Sequence, residues 1–337
     1  MSMVLRLGVI GAGLKAADYA KGWAAMDDVR IVASAEVSIV SRQRFGDTCE
    51  AAGAARPAEY PDADAMLKAM QGQMDAVYVS TPHVFHGANA LAVIEAGYDL
   101  LLEKPMVTTV DEALALAEAE KRTGRTIVIA FQGGLSPLVH DTKERARRGD
   151  FGDLVTVNAS IWEGWAKQYA GQWKQQPEIS GGGFMFDTGA HMMNTVCVLA
   201  DAEFERLSAF ANNRGLKVDL VTAVAARLSN GALVTFNAAG EGPPGCASAI
   251  TVFYSKAIVR IDAWGKWREV MIEGVAEPRE EMEIRDTPMH TFQAVRDGRL
   301  ANPSTVANGL RFARLWDAIK ASASRDGEPI AIEVAAS

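Results

Sequence analysis

From residue 4 to residue 131 the chain repeats one alternation, a short β-branched apolar run followed by a longer segment with apolar residues at helical spacing. The runs are VLRLGVI (4–10), RIVASA (30–35), DAVYVS (75–80), DLLLE (99–103) and TIVIAF (126–131). Several are apolar at nearly every position, as expected of strands whose sheet is covered by helices on both faces. Such alternation predicts parallel βαβ units. The helical half is clearest at TVDEALALAEAEKRTG, where Thr109 and Glu112 form a capping box and Gly124 ends the helix.

The first run turns directly into GAGLKA, that is Gly11-x-Gly13-x-x-Ala16 with Leu14 between. Small residues here let backbone approach a pyrophosphate, and the free amides of a helix start supply positive potential. An ordinary strand-to-helix turn is the alternative, made less attractive by the βαβ setting. Glu36 closes the second run at the spacing where an acid bonds the adenosine ribose hydroxyls, which favours NAD; Ser38 and Arg42 just beyond leave NADP open.

In open parallel sheets ligands bind beyond the carboxyl ends of the strands. STPHVFH and EKP, each following an apolar run, therefore belong to one rim. Thr81 and Pro82 are candidates to line the nicotinamide ribose, and Pro105 fixes the chain where Lys104 emerges. Glu103 and its neighbour Lys104 point to opposite faces, so Lys104 needs counter-charges from elsewhere.

Those are offered by SGGGFMFDTGAHMMNTVCVLA, in which Asp187 and His191 lie one helical turn apart. The triple glycine before them predicts close approach of a ligand or of the other domain. A carboxylate orients a histidine and stabilises its cation, and a nearby ammonium favours alkoxide development. Lysine, aspartate and histidine beside a nicotinamide are the parts of an alcohol dehydrogenation. Each has a plainer reading: Asp187 as a helix cap, His191 as a core imidazole, Lys104 as a rim ion-pair residue.

Beyond residue 150 the texture changes to strand-like alternation, in LVTVNASIW, LVTAVAARLS, ALVTFNAAG, SAITVFYS, AIVRIDAW and WREVMIE, separated by turn signals that favour antiparallel pairing. IWEGWAKQYAGQW concentrates three of the seven tryptophans. It reads either as a loop stacking Trp162 and Trp165 on a sugar or polyol ring, with Glu163, Lys167 and Gln172 bonding its hydroxyls, or as a core or interface cluster.

The chain has 337 residues and a net charge of −8, with basic residues scattered, which excludes a nucleic-acid footprint. Cys49, Cys197 and Cys246 form neither a C-x-x-C nor a disulfide framework, and His83 with His86 makes no metal cluster, so no metal is expected. The start lacks the anatomy of a signal peptide and no run is long enough to span a bilayer, so a soluble, cytoplasmic protein is expected.

In GVIGAGLKA, DAVYVSTPHVFH, AGYDLLLEKPMVTTVDEA, GDFGDLV and GGGFMFDTGAH, in that order and spacing, the chain resembles the glucose-fructose oxidoreductase / inositol dehydrogenase / MocA (Gfo/Idh/MocA) family of NAD(P)-dependent oxidoreductases. The resemblance implies an α/β protein: a Rossmann parallel-sheet domain, taken as residues 1–131, followed by a C-terminal α/β domain on a large, mostly antiparallel open sheet, 132–337. That sheet's outer face would make a homo-oligomer, dimer or tetramer. Lys104, Asp187 and His191 look like the family's catalytic lysine, orienting acid and acid/base histidine, all three also touching substrate. His86 matches a family position of structural rather than catalytic role. The cofactor contacts expected are Gly11, Gly13, Leu14, Ala16, Glu36, Ser80, Thr81, Pro82, His86, Glu103, Lys104 and Pro105; substrate contacts add Trp162 and Trp165.

Two positions depart from the family pattern: FQGG, with Gly133 and Gly134 where a basic or aromatic pair is common, and Asn194 where an aspartate often follows the histidine. The function expected is hydride transfer between nicotinamide and a secondary hydroxyl or carbonyl of a sugar, polyol or related small molecule. Two alternatives stand beside it, a glycosidase-like enzyme that oxidises its sugar transiently on retained NAD, and a non-catalytic NAD(P)-sensing regulator.

Overall fold

The structure, a computed structural model, describes residues 4–333. It divides into two compact units, one of residues up to 130 with 285–307, the other of 131–284 with the residues from 308 onward.

The first unit is a six-stranded sheet of β1 (Leu5–Ile10), β2 (Val29–Ala35), β3 (Ala58–Tyr60), β4 (Ala76–Val79), β5 (Asp99–Leu102) and β6 (Ile127–Ile129), ordered β3-β2-β1-β4-β5-β6. Every pairing is parallel. Strands β4 and β6 are buried at every position, and α1 (Leu14–Trp23), α2 (Ile39–Ala51), α3 (Ala63–Ala69), α4 (His86–Glu95) and α5 (Val110–Thr123) supply the crossovers that cover the sheet. The capping box forms as expected: Thr109 Oγ1 accepts from the Glu112 amide, and Glu112 Oε2 accepts from the Thr109 amide at 3.1 Å. Of the six strands, β3 alone was not anticipated. Its three residues, AEY, lie half-buried or exposed at the sheet edge and carry no apolar run.

Strand order reverses between β1 and β4, and register puts Ile10, Ala35, Val79, Leu102 and Ile129 in one row. The residues that follow each, Gly11, Glu36, Ser80 and Glu103 among them, therefore share one rim at the switch point of the sheet.

The second unit holds a ten-stranded sheet, ordered β14-β13-β12-β11-β7-β10-β9-β8-β16 with β15 on β13. Its strands are β7 (Leu154–Glu163), β8 (Phe204–Asn212), β9 (Val221–Leu228), β10 (Leu233–Ala239), β11 (Cys246–Tyr254), β12 (Ala257–Ile261), β13 (Trp267–Ile272), β14 (Val275–Ala276), β15 (Glu280–Glu281) and β16 (Ile330–Ala331). All pairs are antiparallel except β7 with β10. Strict alternation of burial in β7 and β9 gives one covered and one open face.

Short helices α6 (Gln132–Leu135) and α10 (Phe184–Asp187) pack with the longer α7 (Pro137–Arg147) and α11 (Gly189–Ala200), α11 lying against β7 and β11, and α8 (Trp165–Gln168) and α9 (Pro177–Ser180) lie between β7 and α10 in the chain. Every residue of α11 except His191 is buried.

Residues 285–307, read from sequence with the back half, pack on the first unit instead. There α12 (Thr287–Arg296) pairs Arg296 with Asp99 at 3.1 Å, and Ser304 and Asn302 bond the backbone of Ile129 and Ile127 at 3.0 and 2.6 Å. These bonds satisfy the open edge of β6, which no side-chain pattern announces. The body of α13 (Val306–Ala323) rejoins the second unit.

Candidate active site

On the rim of the first unit, Gly11 sits at φ +84°, and a β-carbon there would lie 2.6 Å from the Thr81 amide nitrogen and 2.8 Å from the Ser80 carbonyl. Only glycine fits so close to the neighbouring strand end. Gly13 is different: nothing lies within 4 Å of where its β-carbon would be, and it starts α1 without a side-chain cap. An uncapped helix start facing open space suits a diphosphate. Leu14 stands exposed at the edge, whereas Ala16 is buried, so Ala16 serves helix packing rather than ligand contact.

Glu36 accepts the Ser38 amide on Oε1 at 2.9 Å. Arg42 is already engaged, donating to the Glu36 carbonyl at 2.7 Å and facing Glu59 at 3.7 Å. The carboxylate, not the guanidinium, is what this strand end offers a ribose.

His86 ties the two rim loops together, with Nδ1 2.7 Å from the Pro105 carbonyl and Nε2 2.8 Å from the Thr81 carbonyl. Burial lowers its pKa while the two carbonyls oppose that, and a neutral ring can donate to only one of them. One nitrogen therefore donates to backbone while the other only faces it, and His86 links the two rim loops.

Glu103 is also turned away from the rim. It is buried, accepting the Tyr78 hydroxyl at 2.9 Å and the Lys104 amide at 3.1 Å. Tyr78 meets edge-on the stacked rings of Tyr19 and Trp23. The expected cofactor contact through Glu103 is therefore corrected to a supporting role beneath the rim. Lys104, by contrast, is the one residue of 100–107 that is not buried.

In the second unit Asp187 ends α10, almost fully buried, and its Oδ2 accepts both the Trp165 indole N–H at 2.9 Å and the Lys174 ammonium at 2.7 Å. Burial works against the charge on Lys174, but Asp187 and Tyr169, whose ring lies 4.0 Å below the ammonium, outweigh it and raise its pKa. One turn on, half-buried His191 lies 5.6 Å from Trp264 and edge-on to Phe131 at 6.4 Å, centroid to centroid. Between them Thr188 donates to the buried Glu163 at 2.7 Å.

Two expectations change here. Trp165 is fully buried and spends its indole N–H on Asp187, while Trp162 lies on the opposite, open face of β7, so the two tryptophans do not form one stacking loop. Likewise the triple glycine serves packing within its own unit. A β-carbon on Gly183 would sit 2.0 Å from the Asp219 carbonyl, and one on Gly182 would sit 2.6 Å from Trp316. Asp219 in turn caps α10 through the Gly183 and Met185 amides at 2.7 and 2.9 Å; burial raises its pKa against those bonds.

Sequence reading missed Lys174 and Trp264. Lys174 lies 13 positions before Asp187, a spacing with no periodic meaning, and Trp264 sits in a strand-to-strand turn that reads as ordinary.

Residues 5–131 match the model of the Gfo/Idh/MocA oxidoreductase family, NAD-binding Rossmann fold, and residues 139–260 match a C-terminal domain model of the same family. Among curated relatives, inositol 2-dehydrogenase 2 of Saccharopolyspora erythraea is 33% identical over 47% of this chain and 45% of its own length. D-glucoside 3-dehydrogenase of Escherichia coli is 26% identical over 57% of this chain and 53% of its own. The chain spans about half the length of these curated relatives. Among solved structures, levoglucosan dehydrogenase in complex with NADH superposes with a TM-score of 0.85 over 98% of this chain and 99% of that one, at 18% identity, a likeness of fold. Matched by two domain models in succession, the chain belongs to the Gfo/Idh/MocA oxidoreductase family.

Proposed function

We propose that this protein is an NAD-dependent oxidoreductase acting on a secondary hydroxyl, or the corresponding carbonyl, of a sugar, polyol or related small molecule. The observation that carries the reading is the pairing of Asp187, immobilised by Trp165 and Lys174, with His191, the one residue of α11 left partly open. A fixed carboxylate one turn before an accessible imidazole is the arrangement of an oriented acid/base. His191 takes the hydroxyl proton, Lys104 stabilises the oxygen as charge develops, and Asp187 orients the pair. NAD, when bound, supplies the hydride acceptor. Gly11, Gly13 and the start of α1 hold its diphosphate, and Glu36 its adenosine ribose. The names of the relatives, acting on inositol and glucosides, support a cyclic polyhydroxy substrate.

The open face of the large sheet carries Trp162, Phe210, Leu233 and Met271, which the pairings place on one side, each more than a third exposed. Association of copies through this face is part of the proposal. No helix among the described residues is long and apolar enough to cross a membrane.

The test is NADH formation from a panel of inositol, levoglucosan, glucoside and xylose, with wild type beside His191→Asn. Wild type is expected to turn over at least one member, and the variant to lose about 10²- to 10⁴-fold in kcat while binding NAD as before. Binding of NADH with no turnover of any member would favour the sensor reading.

A further inference from the structure

We infer that Trp264 is the platform on which the substrate ring lies, and that the Gly133 departure from the family pattern exists to bring that platform beside His191. The inference rests on the function proposed above and narrows it to substrates with a flat C–H face, a pyranose or a cyclitol.

Three observations lead there. First, the indole is 5.6 Å from the His191 imidazole with the two planes tilted by 44°, so a six-membered ring resting on one reaches the other. Second, Trp264 lies among buried loop residues, Asp262, Ala263 and Gly265, yet keeps part of its ring exposed. The part of the indole left uncovered is the surface a ligand can reach. Third, four hydrogen bonds hold the loop. Thr195 donates to the Ala263 carbonyl at 2.7 Å, the Ala263 amide donates to Ser248 at 2.8 Å, Ser136 donates to the Gly265 carbonyl at 2.8 Å, and Asp262 accepts the Lys266 amide at 2.6 Å.

Thr195 lies on α11, the helix that carries His191, so one hydrogen bond fixes the platform to the element bearing the acid/base residue. Gly133 makes this possible. A β-carbon there would fall 2.0 Å from Thr195 Oγ1 and 2.3 Å from the Ala263 carbonyl, so any larger residue would push the loop away from the helix. A rigid aromatic surface at low conformational cost next to a proton-transfer group is what ring recognition requires. Lys266, whose ammonium lies 5.3 Å from the indole centroid, adds a cation to the same surface.

The experiment compares wild type, Trp264→Leu, Trp264→Phe and Gly133→Ala on the same four-sugar panel. Trp264→Leu is expected to raise KM for the ring substrate about 10-fold or more, with kcat within about 3-fold and KM for NAD unchanged, and Trp264→Phe to recover most of the loss. Gly133→Ala should show the same KM-selective defect. If wild type is active and Trp264→Leu leaves KM within about 2-fold, or lowers kcat alone, or raises KM for NAD in parallel, the inference is wrong while the proposed function stands. If wild type turns over no sugar, the proposed function fails. Saturation-transfer NMR with the same sugars then decides the inference separately: signal in wild type that disappears in Trp264→Leu supports it, and signal absent from wild type or retained in the variant overturns it.

Discussion

Lys174 donates its ammonium to the same Asp187 oxygen that accepts the Trp165 indole N–H, so one carboxylate oxygen is held by a charge at 2.7 Å and a rigid ring at 2.9 Å. The carboxylate is nearly buried and the ammonium four-fifths so. Removing one partner of such a pair leaves the other charge desolvated, a change that costs about 3–5 kcal/mol. Because the Trp165 bond survives, Lys174→Met is expected near the lower end, at about 3 kcal/mol in urea unfolding. The pH dependence follows from the raised pKa of Lys174. A cation whose folded pKa exceeds its unfolded one stabilises fully below the unfolded value and loses that contribution as pH climbs through the folded one. The difference between wild type and variant should therefore hold constant from neutral to mildly alkaline pH and shrink only above the ordinary lysine range. A difference already shrinking near neutrality would contradict the assignment.

Coenzyme choice should follow Glu36. Its carboxylate stands at the end of β2, and Arg42 is occupied by the Glu36 carbonyl and Glu59 rather than aimed outward. A 2′-phosphate would meet a like charge, an arrangement that costs several kcal/mol at an interface. Wild type is expected to prefer NAD over NADP by at least about 100-fold in kcat/KM, and Glu36→Ser to narrow the gap by about 10-fold. Steady-state kinetics with both coenzymes decides it; an unchanged ratio in the variant would remove Glu36 from the ribose site.

The two loop glycines should separate folding from binding. Gly11→Ala imposes both a left-handed backbone and a clash with the Ser80–Thr81 peptide, so a loss of about 1–3 kcal/mol in stability is expected. A β-carbon at Gly13 meets no neighbour, so Gly13→Val is expected to cost no more than about 1 kcal/mol, the loss of a tolerated cap residue at the start of α1. Its side chain nevertheless fills the space before α1, so NAD affinity should fall at least about 10-fold. Calorimetric titration and thermal unfolding on the two variants read the contrast directly.

How much of this was visible in the sequence depended on whether a feature has a period. The six-stranded sheet announced itself because β4, β5 and β6 must be apolar on both faces, and α5 because its cap chemistry is local. Asp187 and His191 were legible because one helical turn joins them. β3, three residues at an exposed edge, has no pattern to read. β8 was equally hidden, since its burial runs irregularly beside a bulge at its pairing with β9. Lys174 reaches Asp187, and Trp264 reaches His191, only through tertiary folding. The glycines at 182 and 183 were legible as a demand for close approach, but what approaches, Trp316 and Asp219, comes from distant chain. Periodicity finds elements, and it is silent on which irregular segments meet.

The buried acid under the rim gives the last expectation. Tyr78 donates to Glu103 at 2.9 Å, and the same carboxylate accepts the Lys104 amide at 3.1 Å, so it fixes the backbone from which Lys104 projects. Burial, with the charge of Glu103 adding to it, raises the Tyr78 pKa well above the ordinary phenol value, which keeps the hydroxyl protonated and donating. Tyr78→Phe removes that donor and strands a buried carboxylate oxygen, which should cost about 1–3 kcal/mol. Glu103→Gln behaves differently. Its amide oxygen still accepts from Lys104, and its NH₂ donates to the Tyr78 oxygen by reversing the bond, so the loss should stay below about 1 kcal/mol. Because the lysine backbone stays anchored in the second variant and loosens in the first, kcat should drop several-fold in Tyr78→Phe and little in Glu103→Gln. A larger loss in Glu103→Gln than in Tyr78→Phe would mean that the charge on Glu103, rather than its hydrogen bonds, is what the rim requires.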